Sequence, residues 1–383
     1  MPACSYITER KKLESLFSGH LNVWKDDNIA GKFNIVSAGL RNYLPDIVYK
    51  EHERIFKDII MHQSLSKLEQ AYQEALDYST CENLDNEKLG LLKKGGTIIC
   101  TFHTGSYRVI NQVLVRHHIP FSLVIAKSII ESQGEEFADL HQRFSGSGGV
   151  GSFGLIDAES PGSGLQMLRE LKKGRNLVLY IDGNTGAGSE DNEKNNLCDI
   201  PFLGQRIFAR KGIAFLAHVA NSPIVPVICS RKSIDDIRLH FSDPIYPKAN
   251  EARDTFAQNA TRQIFDLVAP VIRKYPEQWE AWLYLHRFAN VVNHTGIELK
   301  ESEVAADLSG DTRLMLNVEE FGIFKLYDEG HLLRKSSYDS FAVGKDLYDL
   351  LHLAVSEPIT KRQMDPYLFS QFYQNNVFVL ARD

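Results

Sequence analysis

Among thirteen histidines, one has neighbours that give it a chemical setting. His103 follows directly on a short apolar run, TIICTF (97–102), and opens the stretch His-Thr-Gly-Ser-Tyr-Arg that ends at Arg108. Such a run reads as a buried strand, and the carboxyl end of a strand in an open α/β sheet is where these sheets usually bind ligands. An imidazole there can take or give a proton near neutrality. Gly105, two residues on, lets a backbone or a substrate come close. Asp182 has a comparable place, following NLVLYI (176–181) at the end of a second strand-like run. Its turn, running Asp182, Gly183, Asn184, Thr, Gly, can aim backbone N–H groups at an anion or an oxyanion. It can equally be a simple Asx-type turn.

Other patterns carry less. Gly146-Ser-Gly-Gly-Val-Gly151 satisfies G-x-G-x-x-G, but a helical segment precedes it and no helix follows, so it is not a dinucleotide loop. His117 and His118 are adjacent rather than spaced for one helix face. Five widely spaced cysteines without a C-x-x-C pair imply neither a disulfide framework nor a metal cluster.

The elements that must position these residues follow from periodicity. Residues 8–95 read as helices, with Ile55, Ile59, Ile60, Leu65, Leu68 and Tyr72 at helical spacing, closed by Gly95-Gly96. Strand-like runs at 97–102, 121–126, 176–181, 224–229 and 237–241 then alternate with helical stretches at 109–115, 136–144, 163–173 and 210–220. This alternation predicts an α/β domain with a mixed, largely parallel sheet flanked by helices. A long helical stretch, 252–290, closes it, and the polar segment 299–313 reads as a linker. The expected division is a large domain over 1–298 (helices 1–95 packed on a core 96–298) and a small α+β module over 311–383.

Four later segments change what the histidine means: YIDGNTGAG (180–188), IPFLGQ (200–205), RKGIAFLAHVANSPIVPV (210–227) and YPEQWEAWLYLHRF (275–288). In order and spacing they resemble the late acyltransferases of lipid A synthesis, in the lysophospholipid acyltransferase-like superfamily. Pro276-Glu277-Gln278-Trp279 with Trp282, His286, Arg287 and Phe288 is the most specific element, though Tyr284-Leu285 lengthens the step from tryptophan to histidine. The resemblance covers roughly residues 30–290.

What the resemblance implies is acyl transfer from a thioester, on acyl carrier protein or CoA, to a hydroxyl or amine. His103 is then the general base by motif position, and no metal or other cofactor is required. Gly105, Ser106, Tyr107, Arg108, Gly183 and Asn184 are expected beside the substrates. Arg206 and Arg210, near Lys211, correspond to a region beside the substrate and match a phosphopantetheine phosphate, an acidic carrier surface or simply a solvated basic face. Arg231, after the strand ending Val225-Pro226-Val227, is an acceptor-phosphate candidate. His286, Trp279 and Trp282 are expected to pack. One departure matters. The family pattern is H-x-x-x-x-[DE], and position 108 here is Arg, which can neither accept a hydrogen bond nor offset an imidazolium charge. Three accounts fit: a substitute carboxylate, Asp182 or Glu159; an amine acceptor that needs less help from a base; or lost activity.

Bulk properties limit the field. A net charge of −6 argues against the chain as a whole binding nucleic acid. The first seventeen residues have no apolar core of the signal-peptide kind, and the longest apolar runs are too short to span a bilayer. The expectation is a cytoplasmic protein, at most peripheral at the inner face of the membrane, with a lipid, small-molecule or peptide acceptor. Residues 311–383 weakly resemble winged-helix modules of the PqqD kind. A non-catalytic carrier-binding scaffold and a thioester hydrolase are the competing readings, the latter lacking a G-x-S-x-G elbow.

Overall fold

The computed structural model describes residues 5–19, 21–134, 139, 153–183, 196–248, 250–292 and 308–381. By contacts the chain divides into two compact units, residues 1–20 with 57–281, and residues 21–56 with 282–383. The sequence grouped residues 21–56 with the acyltransferase core; the contacts group them with the C-terminal part.

The first unit is built on a seven-stranded sheet. Its strands are β1 (Ser79–Glu82), β2 (Ile98–Thr101), β3 (Phe121–Ile125), β4 (Phe153–Asp157), β5 (Asn176–Tyr180), β8 (Ile224–Ser233) and β9 (Asp236–Phe241), while β6 (Leu197–Phe202) and β7 (Gln205–Arg210) form a separate hairpin. The sheet order is β1-β9-β8-β2-β5-β3-β4. Every pairing is parallel except β8 with β9. β2 therefore lies inside the sheet, buried at every position, which is why its sequence is continuously apolar or β-branched rather than alternating. One core cluster joins Ile99, Val178, Val225 and Val227 of the sheet to Val109, Ile110, Val113 and Leu114 of the helix Val109–Arg116.

Several sequence expectations are corrected. Residues 197–210, in which no strand was expected, form the β6–β7 hairpin, turning through Leu203 and Gly204 with positive φ. Arg210, placed at the start of a helix, is the last residue of β7; the helix runs Gly212–Ala220. The closing helix also ends earlier, at Arg253–Lys274, and Pro276 begins a series of short 3₁₀ turns. Residues 136–138 and 140–144 of the expected helix at 136–144, and the glycine-rich 146–151, lie outside the described residues.

The second unit packs the helix Asp27–Tyr43, capped by the Asp26 carboxylate on the Ile29 N–H, against the strand Phe321–Leu326. Contact is close because Gly322 has no side chain: a Cβ there would lie 2.3 Å from Asn34, whose amide donates to the Ile323 carbonyl at 3.1 Å. The strands Phe321–Leu326, Glu329–Arg334 and Asp339–Val343 form an antiparallel sheet. A second small sheet and the helices Lys345–Ser356 and Pro366–Gln374 complete the core around Leu314, Leu351, Phe369 and Phe378.

Candidate active site

The site begins with strand register. β2 and β5 pair in parallel with Ile98 opposite Leu177 and Thr101 opposite Tyr180, a constant offset of 79 residues. The Ile181 N–H donates to the Thr101 carbonyl at 3.0 Å, so the two strands still run side by side as they leave the sheet. Carrying the same offset two residues further sets His103 opposite Asp182, separated by the ~4.8 Å spacing of neighbouring strands. The side chains meet: His103 Nδ1 lies 2.8 Å from Asp182 Oδ1, and the His103 backbone N–H donates to Asp182 Oδ2 at 3.0 Å. A third donor comes from far along the chain, the Trp279 indole N–H, 2.8 Å from Asp182 Oδ2.

Asp182 is 3% exposed, yet three donors converge on it, which is the condition for burying a carboxylate. As the acceptor of an Nδ1–H bond it places the neutral imidazole's basic lone pair on Nε2. The His103 side chain remains 21% exposed. Its ring stacks on Tyr180, centroids 4.7 Å apart, and meets Tyr107 edge-on at 4.9 Å. Burial disfavours the imidazolium, but the charge and hydrogen bond of Asp182, aided by Glu280 and opposed by Arg108, leave the His103 pKa above its ordinary value.

A segment the sequence reading assigned to packing holds this arrangement in place. Gln278 mimics a strand neighbour, its side-chain amide accepting from the Arg231 N–H at 2.7 Å and donating to the Arg231 carbonyl at 2.8 Å. Its own carbonyl accepts from the Gly105 N–H at 2.9 Å, and the Glu280 N–H donates to the His103 carbonyl at 2.9 Å. The His103 loop is thereby stitched to the Pro276–Gln278 turn on one side and to β8 on the other, where Thr104 Oγ1 donates to the Cys229 carbonyl. Gly105 is required at this crossing: φ is +55°, and a Cβ would lie 2.8 Å from Ser230 Cα.

The helix His52–Ala71 contributes polar side chains in pairs two turns apart. His62 and Glu69 hold Arg231, with Nη1 2.8 Å from His62 Nδ1 and Nε 3.3 Å from Glu69 Oε1. Gln63 donates to Glu280 Oε2 at 3.1 Å, and Gln70 accepts from Arg108 Nη1 at 2.8 Å. Gln112 closes the end of that helix, donating to the carbonyls of Glu69 and Gln70.

The remaining predicted residues are placed as follows. Arg108 packs over the Tyr107 ring and donates to the Tyr107 hydroxyl at 3.2 Å. Ser106 is buried beneath the loop. Gly183 follows Asp182 at the turn, and Asn184 lies outside the described residues. Glu159 sits beyond β4 at the sheet edge, accepting from the Lys127 N–H, and is not brought to His103. Arg231 is 2% exposed with its guanidinium engaged by Glu69 and His62, so those donors serve the interior rather than a phosphate at the surface. Arg206 grips Asp199 across the hairpin with both Nε–O distances at 2.9 Å, and Lys211 pairs with Asp254. Arg210 is half-buried at the end of β7. Sequence reasoning missed Trp279 as an Asp182 donor, and it missed Glu280, Gln63, Gln70 and Glu69 altogether. Among the described residues no group of histidine, cysteine and acidic side chains has the makings of a metal site.

A family model described as bacterial lipid A biosynthesis acyltransferase matches residues 41–288. No curated relative matches the chain. Among the described residues no helix is long and apolar enough to cross a membrane.

Proposed function

Because the chain belongs to the bacterial lipid A biosynthesis acyltransferase family, and is an acyltransferase, we propose that it moves an acyl group from a carrier-protein or CoA thioester to a hydroxyl or amine, with His103 as general base. The observation that carries this reading is the His103–Asp182 contact at 2.8 Å. Asp182 supplies the acidic partner that Arg108 cannot, which is the first of the three accounts of that substitution.

In this reading the acceptor gives its proton to His103 Nε2 as its oxygen or nitrogen attacks the thioester carbonyl. Asp182 fixes the tautomer beforehand and stabilises the imidazolium that forms. The tetrahedral oxyanion collapses, the C–S bond breaks, and the leaving thiolate takes the proton back from His103. The step consumes only the two substrates and calls for no further cofactor. Tyr107 and Tyr180, packed on the imidazole, hold its plane. The acceptor is a lipid, small molecule or peptide met from solution or at the inner membrane face, a reading compatible with the absence of a membrane-length apolar helix among the described residues.

The test is incubation with an acyl-loaded carrier or acyl-CoA and candidate acceptors, followed by mass spectrometry. Wild type is expected to yield an acylated product, and His103→Ala to lose about 10²–10⁴ in rate with an unchanged circular dichroism spectrum. Free acid as the sole product would replace transfer by hydrolysis, and full activity in His103→Ala would remove the general base.

A further inference from the structure

Arg108 poses an electrostatic problem that Asp182 solves only in part. A permanent cation has been set near an imidazole that must become a cation during turnover, and each disfavours the other. Arg108 Cζ lies 5.2 Å from the Tyr107 ring centroid, and that ring lies 4.9 Å from the His103 ring. The charges facing His103 come from three elements: Asp182 beyond β5, Arg108 in the loop after β2, and Glu280 in the segment after the helix Arg253–Lys274. The phenol of Tyr180 stacks on the ring and that of Tyr107 meets it edge-on. His62 and Glu69, on the helix His52–Ala71, are turned to Arg231.

Glu280 stands out among these. It is 8% exposed, and its backbone is tied to the His103 carbonyl at 2.9 Å. Gln63 donates to one carboxyl oxygen at 3.1 Å, while Oε1 is buried with no hydrogen-bond partner among the described residues. Leaving such an oxygen unpaired is costly, so packing alone does not account for it. Gln63 and Gln70, two turns apart on one helix, hold Glu280 and Arg108 as an opposed set.

We propose that Glu280 is a positioning residue that, with Asp182, offsets Arg108 and stabilises the protonated form of His103. The catalytic meaning of this rests on His103 being the general base; the electrostatics does not. Glu280 takes over part of the task of the acid missing at position 108, from a different element far along the chain, while Arg108 is left able to meet substrate without displacing the imidazole's proton balance. In agreement, Glu280 pushes the His103 pKa up and Arg108 pushes it down.

The test is an NMR titration of the His103 imidazole in the full chain, with His103→Asn supplying the assignment. Glu280→Gln, which keeps the bond from Gln63, is expected to lower the His103 pKa. Arg108→Gln should raise it, and the double variant should return close to wild type. Turnover should follow, with the acid limb of the kcat profile moving with the imidazole and KM unchanged. If Glu280→Gln does not fold, Glu280→Asp is expected to give a smaller shift of the same sign. An unmoved His103 titration in a folded Glu280 variant overturns the proposal, as does a loss of turnover without that movement. A shift of the expected sign beside full transfer by His103→Ala would overturn the general-base reading and leave the charge set standing.

Discussion

At the scale of single residues, Asp182 decides what His103 can do. Its carboxylate, held by the His103 N–H and by the Trp279 indole, keeps the imidazole proton on Nδ1. Asp182→Asn presents an amide of nearly the same shape that can offer N–H to Nδ1 and so favour the other tautomer. Transfer is expected to fall by about three to four orders of magnitude, by analogy with the same change in serine proteases. The sign of the pH effect follows from the raised His103 pKa. In the proposed mechanism His103 is fully available as a base only above that pKa, so kcat/KM should climb with pH to a limb above 6.5, the ordinary value for histidine. In the Asp182→Asn variant the limb of the residual rate should move to lower pH. A pH–rate profile of both proteins checks this, and an unmoved limb would remove Asp182 from the base.

At the scale of elements, the helix His52–Ala71 is a rack of polar positions, and its burden is clearest at Glu69. Its carboxylate and the Arg231 guanidinium form an ion pair with both side chains 1% exposed. Glu69→Gln leaves Arg231 buried without its counter-charge, and a loss of about 3–5 kcal/mol is expected in chemical denaturation. Activity should also fall, since Arg231 carries the backbone groups that clasp Gln278. How much of this the sequence disclosed differs by element. TIICTF and NLVLYI were legible because buried parallel strands are uniformly apolar. The β6–β7 hairpin was not, although Cys198, Ile200 and Phe202 alternate inward; Pro201 between them reads against a strand, and it sits at an exposed position of β6. Trp279 and Trp282 suit a helix by spacing, but Pro276 starts a run of 3₁₀ turns that no periodicity announces. The partnership of His103 with Asp182 depends on which strands are neighbours, and that of Glu280 on a backbone crossing. Neither leaves a local signal.

At the scale of the whole molecule, the two units carry different polar cores. In the second, Lys335 is fully buried, donating to Ser37 Oγ at 2.9 Å and to the Val318 carbonyl at 2.6 Å, with its ammonium 4.7 Å from the Tyr49 ring centroid. Ser37 in turn bonds His52 Nδ1 at 2.9 Å, and His52 Nε2 lies 3.2 Å from the Ile47 carbonyl. The chain of donors suits a neutral His52, whose pKa burial lowers to about 4. Burial first, then Arg41, lowers the Lys335 pKa to about 7, against the opposing pull of Glu320 and Glu319. Between about pH 7 and the ordinary value of 10.5 the unfolded chain holds a proton that the folded unit does not. Raising the pH therefore removes an advantage of the unfolded state, and stability should increase from about pH 7 towards 10.5. Denaturation followed by a probe within residues 308–381 is expected to show that slope, and Lys335→Met to abolish it. A flat dependence in wild type would mean the ammonium keeps its proton in the folded protein.

The constant offset between β2 and β5 has a consequence for how this catalyst can vary. Which carboxylate faces the imidazole is settled by ladder hydrogen bonds inside the sheet, not by the chain that joins the two strands. Outside β3, β4 and the helix Val109–Arg116, which belong to the same core, the loops of the connecting stretch can change length or composition without altering that match. A slip of one residue between the strands would instead turn the acid to the opposite face, away from the imidazole. The pair thus inherits the all-or-none character of strand pairing, so the connections are free to drift while the His103–Asp182 contact stays fixed.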